Sequence, residues 1–521
     1  MKKWSLFFVL LAGLQASSQK IDVLQYDLAF EINDITDTIY GKAGIDLVNL
    51  QPASQLILDL QSPDARGKGM TVSSVIAANH TVSFHHTSNF LFIDGNFRAN
   101  DTIRLQVIYK GIPGDGMIIS KNKFGHRSFF ADNWPNRAHH WIPCNDQPGD
   151  KAAVRFSVTA PSHYQVISNG IQVEETELAG NKRLTVYEEK MPLPTKVMVF
   201  GAADFAVQLA GMYKDCIPVT SWVFTENKKE GFYDYAEAIG ILAWLSDYIG
   251  PYPYKKLANI QSKTIFGGME NASAIFYFEN SVNGKKAQET LLAHEIAHQW
   301  FGNTATEKSF AHLWLSEGFA TYMTHLYVES RYGKDSLNKR MKAERNQVLQ
   351  FVKNSQRPVI DNTTDLMSLL NENSYQKGGW ILHMLRRELG DSVFKKAVRT
   401  YYSQYAWKNA ESRDLQKVFE NVSGKNLQYF FDQWLNRNYN PSVKIRWQYL
   451  QKEQVLSLTV EQTTSEPFRF PLEINTGSRI EKLQVSKTTE TFRIPSRNNI
   501  ENIQADPNIS LLAEILLEPV K

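Results

Sequence analysis

The sequence predicts an α+β protein of several domains, because its hydrophobic period changes twice along the chain. From Ile21 to about Phe205 apolar residues alternate with polar ones, the mark of half-buried strands. From Ala287 to about Asn438 they recur at helical spacing, and beyond Pro441 they alternate again. At 521 residues the chain is too long for one hydrophobic core. The expected plan is a leader over 1–18, a β-sandwich-like domain over 19–205, a mostly helical domain over 206–440 and a small β domain over 441–521.

The first residues, "MKKWSLFFVLLAGLQASSQ", place two lysines before an apolar run from Trp4 to Leu14 and small residues at Ala16 and Ser18. That is the pattern of a cleaved export signal. The run is too short for a bilayer core, which takes roughly 20 apolar residues. An exported protein, periplasmic or secreted, with no membrane span after signal removal is therefore expected. In the first β region "YDLAFEI" turns Leu28, Phe30 and Ile32 to one face, and "YGKAGIDLV" does the same with Ala43, Ile45 and Leu47. "TIRLQVIYKG", "VRFSVTAP", "YQVISNG" and "RLTVYEE" continue the alternation between Gly, Pro, Asn and Asp turns.

"EGFYDYAEAIGILAWLSDYIG" is the first helical stretch, ended by Gly250, Pro251 and Pro253. "NIQSKTIF" reads as a strand. A run of helices follows from "QETLLAHEIAHQWFG" to "NLQYFFDQWLNRN". Strands return in "VKIRWQYL", "VLSLTVEQ", "FPLEINTG" and "TETFRIPS". The formal net charge of +3 is not the footprint of a nucleic-acid binder. Cys144 and Cys216 are the only cysteines, and two separate buried thiols are as consistent with the sequence as a disulfide.

"LLAHEIAHQWFGN" carries the chemistry. Residues four apart share a helix face, so His294 and His298 can bind one metal ion with Glu295 beside them as general base. A catalytic zinc takes three protein ligands and keeps one position open. Phe301 and Thr304 stand where an extended three-histidine motif needs Gly and His, so the third ligand comes from elsewhere. A glutamate on the next helix fits, and Glu317 of "HLWLSEGFATY" is favoured over Glu307 and His312.

Eighteen residues separate His298 from Glu317 in "WLSEGFA", and "GGMEN" precedes the metal motif. With "NSYQKGGWILHML", "GPYPYKKL" and "FFDQWL", these motifs resemble the gluzincin zinc aminopeptidases, the group of aminopeptidase N and leukotriene-A hydrolase. The resemblance implies a thermolysin-like catalytic domain with one zinc per chain at His294, His298 and Glu317. It implies that Glu295 moves the proton of the attacking water and that the Tyr375 hydroxyl stabilises the oxyanion. Gly267, Gly268, Met269, Glu270 and Asn271 would bind substrate, with Glu270 on the free α-amine of a peptide.

The chain departs from the group at several points. Gly268 replaces a common Ala, and Ser316 a common Asn. Trp134 falls roughly where many members carry a second amine-binding Gln or Glu. Longer members continue into a helical domain that closes over the site, so a more open site is expected here. Two further readings are an epoxide hydrolase of the leukotriene-A hydrolase type and an inactive zinc-containing peptide-binding protein.

Overall fold

The computed structural model describes residues 21–497 and 499–520. The expected leader, 1–18, lies outside the described residues. No described helix is long and apolar enough to cross a membrane.

The first β region builds three sheets. An eight-stranded sheet runs in the order 171–178, 182–193, 152–161, 21–31, 39–49, 101–112, 69–77 and 80–81. Its neighbours are antiparallel except that Gln25 to Glu31 pairs in parallel with Ala153 to Thr159. The alternation read from the sequence is the burial seen here: Val23, Leu28 and Phe30 are buried on one strand, and Ala43, Ile45 and Leu47 on the next. A three-stranded sheet (53–59, 90–97, 84–87) and a four-stranded sheet (165–168, 200–203, 127–131, 117–121) complete the region.

A five-stranded sheet opens the part that carries the metal motif, in the order 205–213, 217–224, 257–261, 274–277 and 268–269. Its last, edge strand is Gly268–Met269, antiparallel to Phe276 and Tyr277. Only Asn259, Ile260 and Gln261 of the expected "NIQSKTIF" segment lie in a strand (Leu257–Gln261), and the rest is turn and loop leading to the glycines. The first helical stretch is two helices, α1 (Lys228–Tyr235) and α2 (Ala238–Tyr248).

The remaining helices are α3 (Glu289–His298), α4 (Trp314–Tyr332), α5 (Lys334–Asn354), α6 (Gly378–Leu389), α7 (Asp391–Tyr405), α8 (Ser412–Ser423) and α9 (Gln428–Leu435). The second β region forms a four-stranded sheet (489–495, 455–462, 442–450, 514–519) and a three-stranded one (480–485, 470–475, 504–505).

Helix α4 is buried along most of its length, from Trp314 to Val328, which makes it the spine of the helical part. Its approach to the start of α6 depends on two glycines. A Cβ on Gly318 would lie 2.9 Å from the backbone of Gly378, closer than real Cβ atoms pack. This contact draws the turn before α6 against the first turn of α4. That turn, Asn373–Lys377, is a π-helix, a wider winding often found at functional sites. Cys144 is buried and Cys216 exposed, and both thiols are free, so the expectation of two buried thiols holds for Cys144 alone.

Candidate metal centre and its cleft

Helices α3 and α4 lie side by side and bring the three predicted ligands together. His294 Nε2 is 3.3 Å and His298 Nε2 3.2 Å from Glu317 Oε2, and the two imidazole nitrogens are 3.1 Å apart. Two ligands of a tetrahedral zinc, each at about 2.0–2.1 Å, would stand about 3.3 Å apart. All three side chains are largely shielded, His298 almost completely. Of the described residues, these alone bring three metal-binding side chains so close together.

The tautomer supports the same reading. His298 Nδ1 lies 3.0 Å from the carbonyl oxygen of Phe301, which can only accept, so Nδ1 carries the hydrogen. In the neutral ring, Nε2 then directs a lone pair at His294 Nε2 and Glu317 Oε2. A cation between the three atoms, a metal ion or a proton, would satisfy that lone pair and the Glu317 carboxylate together. Ser316 Oγ, 3.2 Å from the same Nδ1, adds a second contact that holds the ring. The sequence marked Ser316 only as a departure, and this contact gives it a place in the site.

The charges of the site also call for a cation. Burial opposes charge on His298, yet the carboxylates of Glu317, Glu270 and Glu295 overcome it and raise the imidazole to about 10. Burial would raise Glu317 too, but His298 and His294 hold it far below the usual carboxylate range. Burial pushes the Glu295 carboxyl well above that range; His298 opposes the shift, and Glu270 and Glu317 add to it. Burial, reinforced by Glu317, Glu270 and Glu295, lifts the Tyr375 phenol well above 10, so it keeps its proton and can donate. Its ring stacks on His294 with centroids 6.0 Å apart.

The edge strand covers Glu295. A Cβ on Gly268 would sit 2.3 Å from Glu295 Oε1 and 2.6 Å from its Cγ, so the general-base candidate packs directly on a bare backbone. Glu270 follows on the same segment. Its backbone oxygen accepts hydrogen bonds from Gln299 Nε2 at 2.8 Å and Asn303 Nδ2 at 2.6 Å, both from the end of the metal helix and the turn after it. Neither residue was singled out in the sequence; their spacing after His298 is the signal that could have found them. The Glu270 side chain is buried, and its Oε1 has no partner among the described residues. Such an orphaned acceptor suits an ammonium group.

His294, His298, Glu317, Glu295, Tyr375, Gly268 and Glu270 line one cavity of about 420 Å³, together with Gly267, Met269 and Trp134. Asn271, next in the chain, is buried, and neither of its side-chain polar atoms has a partner among the described residues. Trp134 is buried, its ring edge-on to Phe266 and Phe310. Its indole can only donate, so at that position it supplies no second hydrogen-bond acceptor for an amine. The two rival ligands are elsewhere engaged: Glu307 is paired with Lys196, and His312 Nδ1 bonds Ser412 Oγ at 2.9 Å.

The comparisons with known proteins agree with this geometry. Residues 23–197 match the peptidase M1 N-terminal domain, and residues 233–434 match the peptidase family M1 domain. Aminopeptidase M1 of Arabidopsis thaliana is 26% identical over 465 residues, covering 82% of this chain and 52% of the relative. Probable aminopeptidase 2 of Sulfurisphaera tokodaii is 26% identical over 445 residues, covering 82% and 55%. Aminopeptidase M1-C of Oryza sativa subsp. japonica is 31% identical over 336 residues, covering 61% and 38%. The chain spans about half the length of the curated relatives it matches, or less.

Proposed function

The chain belongs to peptidase family M1, and from that premise we propose that it is a zinc aminopeptidase, releasing the N-terminal residue of peptides that carry a free amine. The single observation that carries this reading is the placement of an unpartnered, buried Glu270 in the same cavity as the His294, His298 and Glu317 cluster. A hydrolytic centre alone does not select chain ends. A carboxylate fixed beside it does, because it holds the ammonium by a charge-assisted hydrogen bond and sets its distance to the bond that breaks.

His294, His298 and Glu317 would hold one zinc ion. Zinc bound there supplies Lewis-acid polarisation and lowers the pKa of water towards about 7. Glu295 takes a proton from the attacking water at its carboxylate and returns it to the leaving amine. Tyr375 donates from its hydroxyl to the oxygen that becomes negative. The free edge of Gly268–Met269 aligns the peptide as an added strand. The proposal of export rests on the leader-like sequence of residues 1–18.

The test is a panel of aminoacyl anilides, each offered free and N-acetylated. Cleavage confined to the free amines supports the reading; equal cleavage of the acetylated forms removes Glu270 from the role and the exopeptidase assignment with it.

A further inference from the structure

The cavity has a direction, and three elements define it. Along the edge segment, Glu270 is bonded at its backbone to Gln299, Gly268 packs on Glu295, and Gly267 faces Leu291. The segment therefore runs from Glu270 towards the N-terminal end of α3. Helix α4 runs the same way: Ser316 meets His298, Glu317 meets His294, and Tyr327 bonds Glu289. Moving away from Glu270 thus means moving along α4 from Glu317 towards Thr321, Thr324 and His325, all of which line the cavity.

At that far end α5 adds Arg340 and Glu344, one turn apart. Glu344 is engaged, its Oε2 2.9 Å from His325 Nε2. Arg340 is half-buried and makes no hydrogen bond or ion pair among the described residues. Among the described residues no other arginine or lysine lines the cavity. A guanidinium placed so, in a cleft otherwise crowded with carboxylates, is a two-pronged receptor without an acceptor.

We propose that Arg340 binds a substrate carboxylate at the leaving-group end of the cleft, making the chain selective for short peptides. This rests on the aminopeptidase reading above and names its substrate class. Thr324 lies seven residues beyond Glu317, about 10 Å along the helix. An extended peptide covers that in about three residues at roughly 3.3 Å each. With the reach of the arginine side chain, the C-terminal carboxylate of a tri- or tetrapeptide meets the guanidinium while its amine is on Glu270. An acidic side chain at the same point offers the same chemistry.

The experiment compares kcat/KM for trialanine, its C-terminal amide, and the amide of Ala-Ala-Asp, in the full chain and in Arg340→Gln and Arg340→Lys. Reading ratios within each protein cancels differences in folded fraction. The expected result is a preference of about tenfold or more for free trialanine over its amide, carried mainly by KM. It should fall towards one in Arg340→Gln and be partly kept in Arg340→Lys. Recovery with the aspartyl amide assigns the site to any carboxylate; no recovery confines it to the chain end. Equal rates for trialanine and its amide in the unmodified chain, or a preference that survives Arg340→Gln, overturn the inference while leaving the aminopeptidase reading intact. Cleavage of none of the three by zinc-loaded protein overturns both.

Discussion

The ammonium of Lys196 and the carboxylate of Glu307 form a salt bridge whose side chains are 1% and 0% exposed. The pair ties the end of the first β region to the strand that follows the metal helix. It also explains why Glu307, a ligand candidate in the sequence, is absent from the metal cluster: its charge is already committed.

Breaking this pair leaves a buried charge without a partner. Lys196→Met is expected to lower stability by about 3–5 kcal/mol. The double change Lys196→Met with Glu307→Met should recover most of that loss, because burying two apolar side chains removes the desolvation cost of both ions. Denaturant unfolding of the three proteins checks it, and a double variant no more stable than the single one would refute the account.

Tyr375 is expected to act on the reaction rather than on binding. Tyr375→Phe removes one hydroxyl and keeps the ring that stacks on His294. It should lower kcat by about a hundred- to a thousandfold while leaving zinc content and KM nearly unchanged. Near-normal turnover would remove the phenol from the mechanism.

Glu270→Ala should cost about a hundredfold or more in kcat/KM on free-amine substrates, since the ammonium would enter a shielded site without its counter-charge. The residual activity should no longer distinguish free from N-acetylated anilides. A variant that still rejects the acetylated forms would place the amine anchor elsewhere.

Stability should also depend on Lys256, which is buried and donates to Ser168 O at 2.7 Å and Ser273 Oγ at 3.1 Å. Burial lowers its ammonium from 10.5 to about 7, with Glu189 offsetting part of the shift. Between these values the unfolded chain binds more protons than the folded one, so this group makes stability rise with pH from about 7 to 10.5, by up to about 1.4 kcal/mol per unit. Below about 7 both forms are protonated and the slope vanishes. Unfolding midpoints at pH 7.5 and 9.5 should therefore show a steeper rise in the unmodified chain than in Lys256→Met; parallel slopes would contradict this.

How much of this was legible depends on whether the information is local. His294, Glu295 and His298 lie on one helical turn, so their spacing alone revealed them. Glu317 needed a second helix to return, and the apolar run around it gave that helix away. The order of β, α and β regions followed from period two giving way to period 3.6 and returning.

Other features arise only from packing. The contact between Gly318 and Gly378 that carries Tyr375 inwards joins residues sixty positions apart. The two-residue strand Gly268–Met269 is too short for a periodic signal. Gln299 and Asn303 look like ordinary polar residues until Glu270 is seen between them and the cavity. Arg340 sits on an exposed-looking, charge-rich helix, and only the register between α4 and α5 places it in the cleft.

The most direct test of the central claim is the metal content of the purified chain, measured alongside hydrolysis of an alanyl anilide before chelation, after it, and after zinc is returned. The account predicts one zinc per chain, activity lost on chelation and regained with one equivalent of zinc, and neither metal nor activity in Glu317→Ala. Full hydrolysis by the metal-free chain, or by Glu317→Ala, would contradict it.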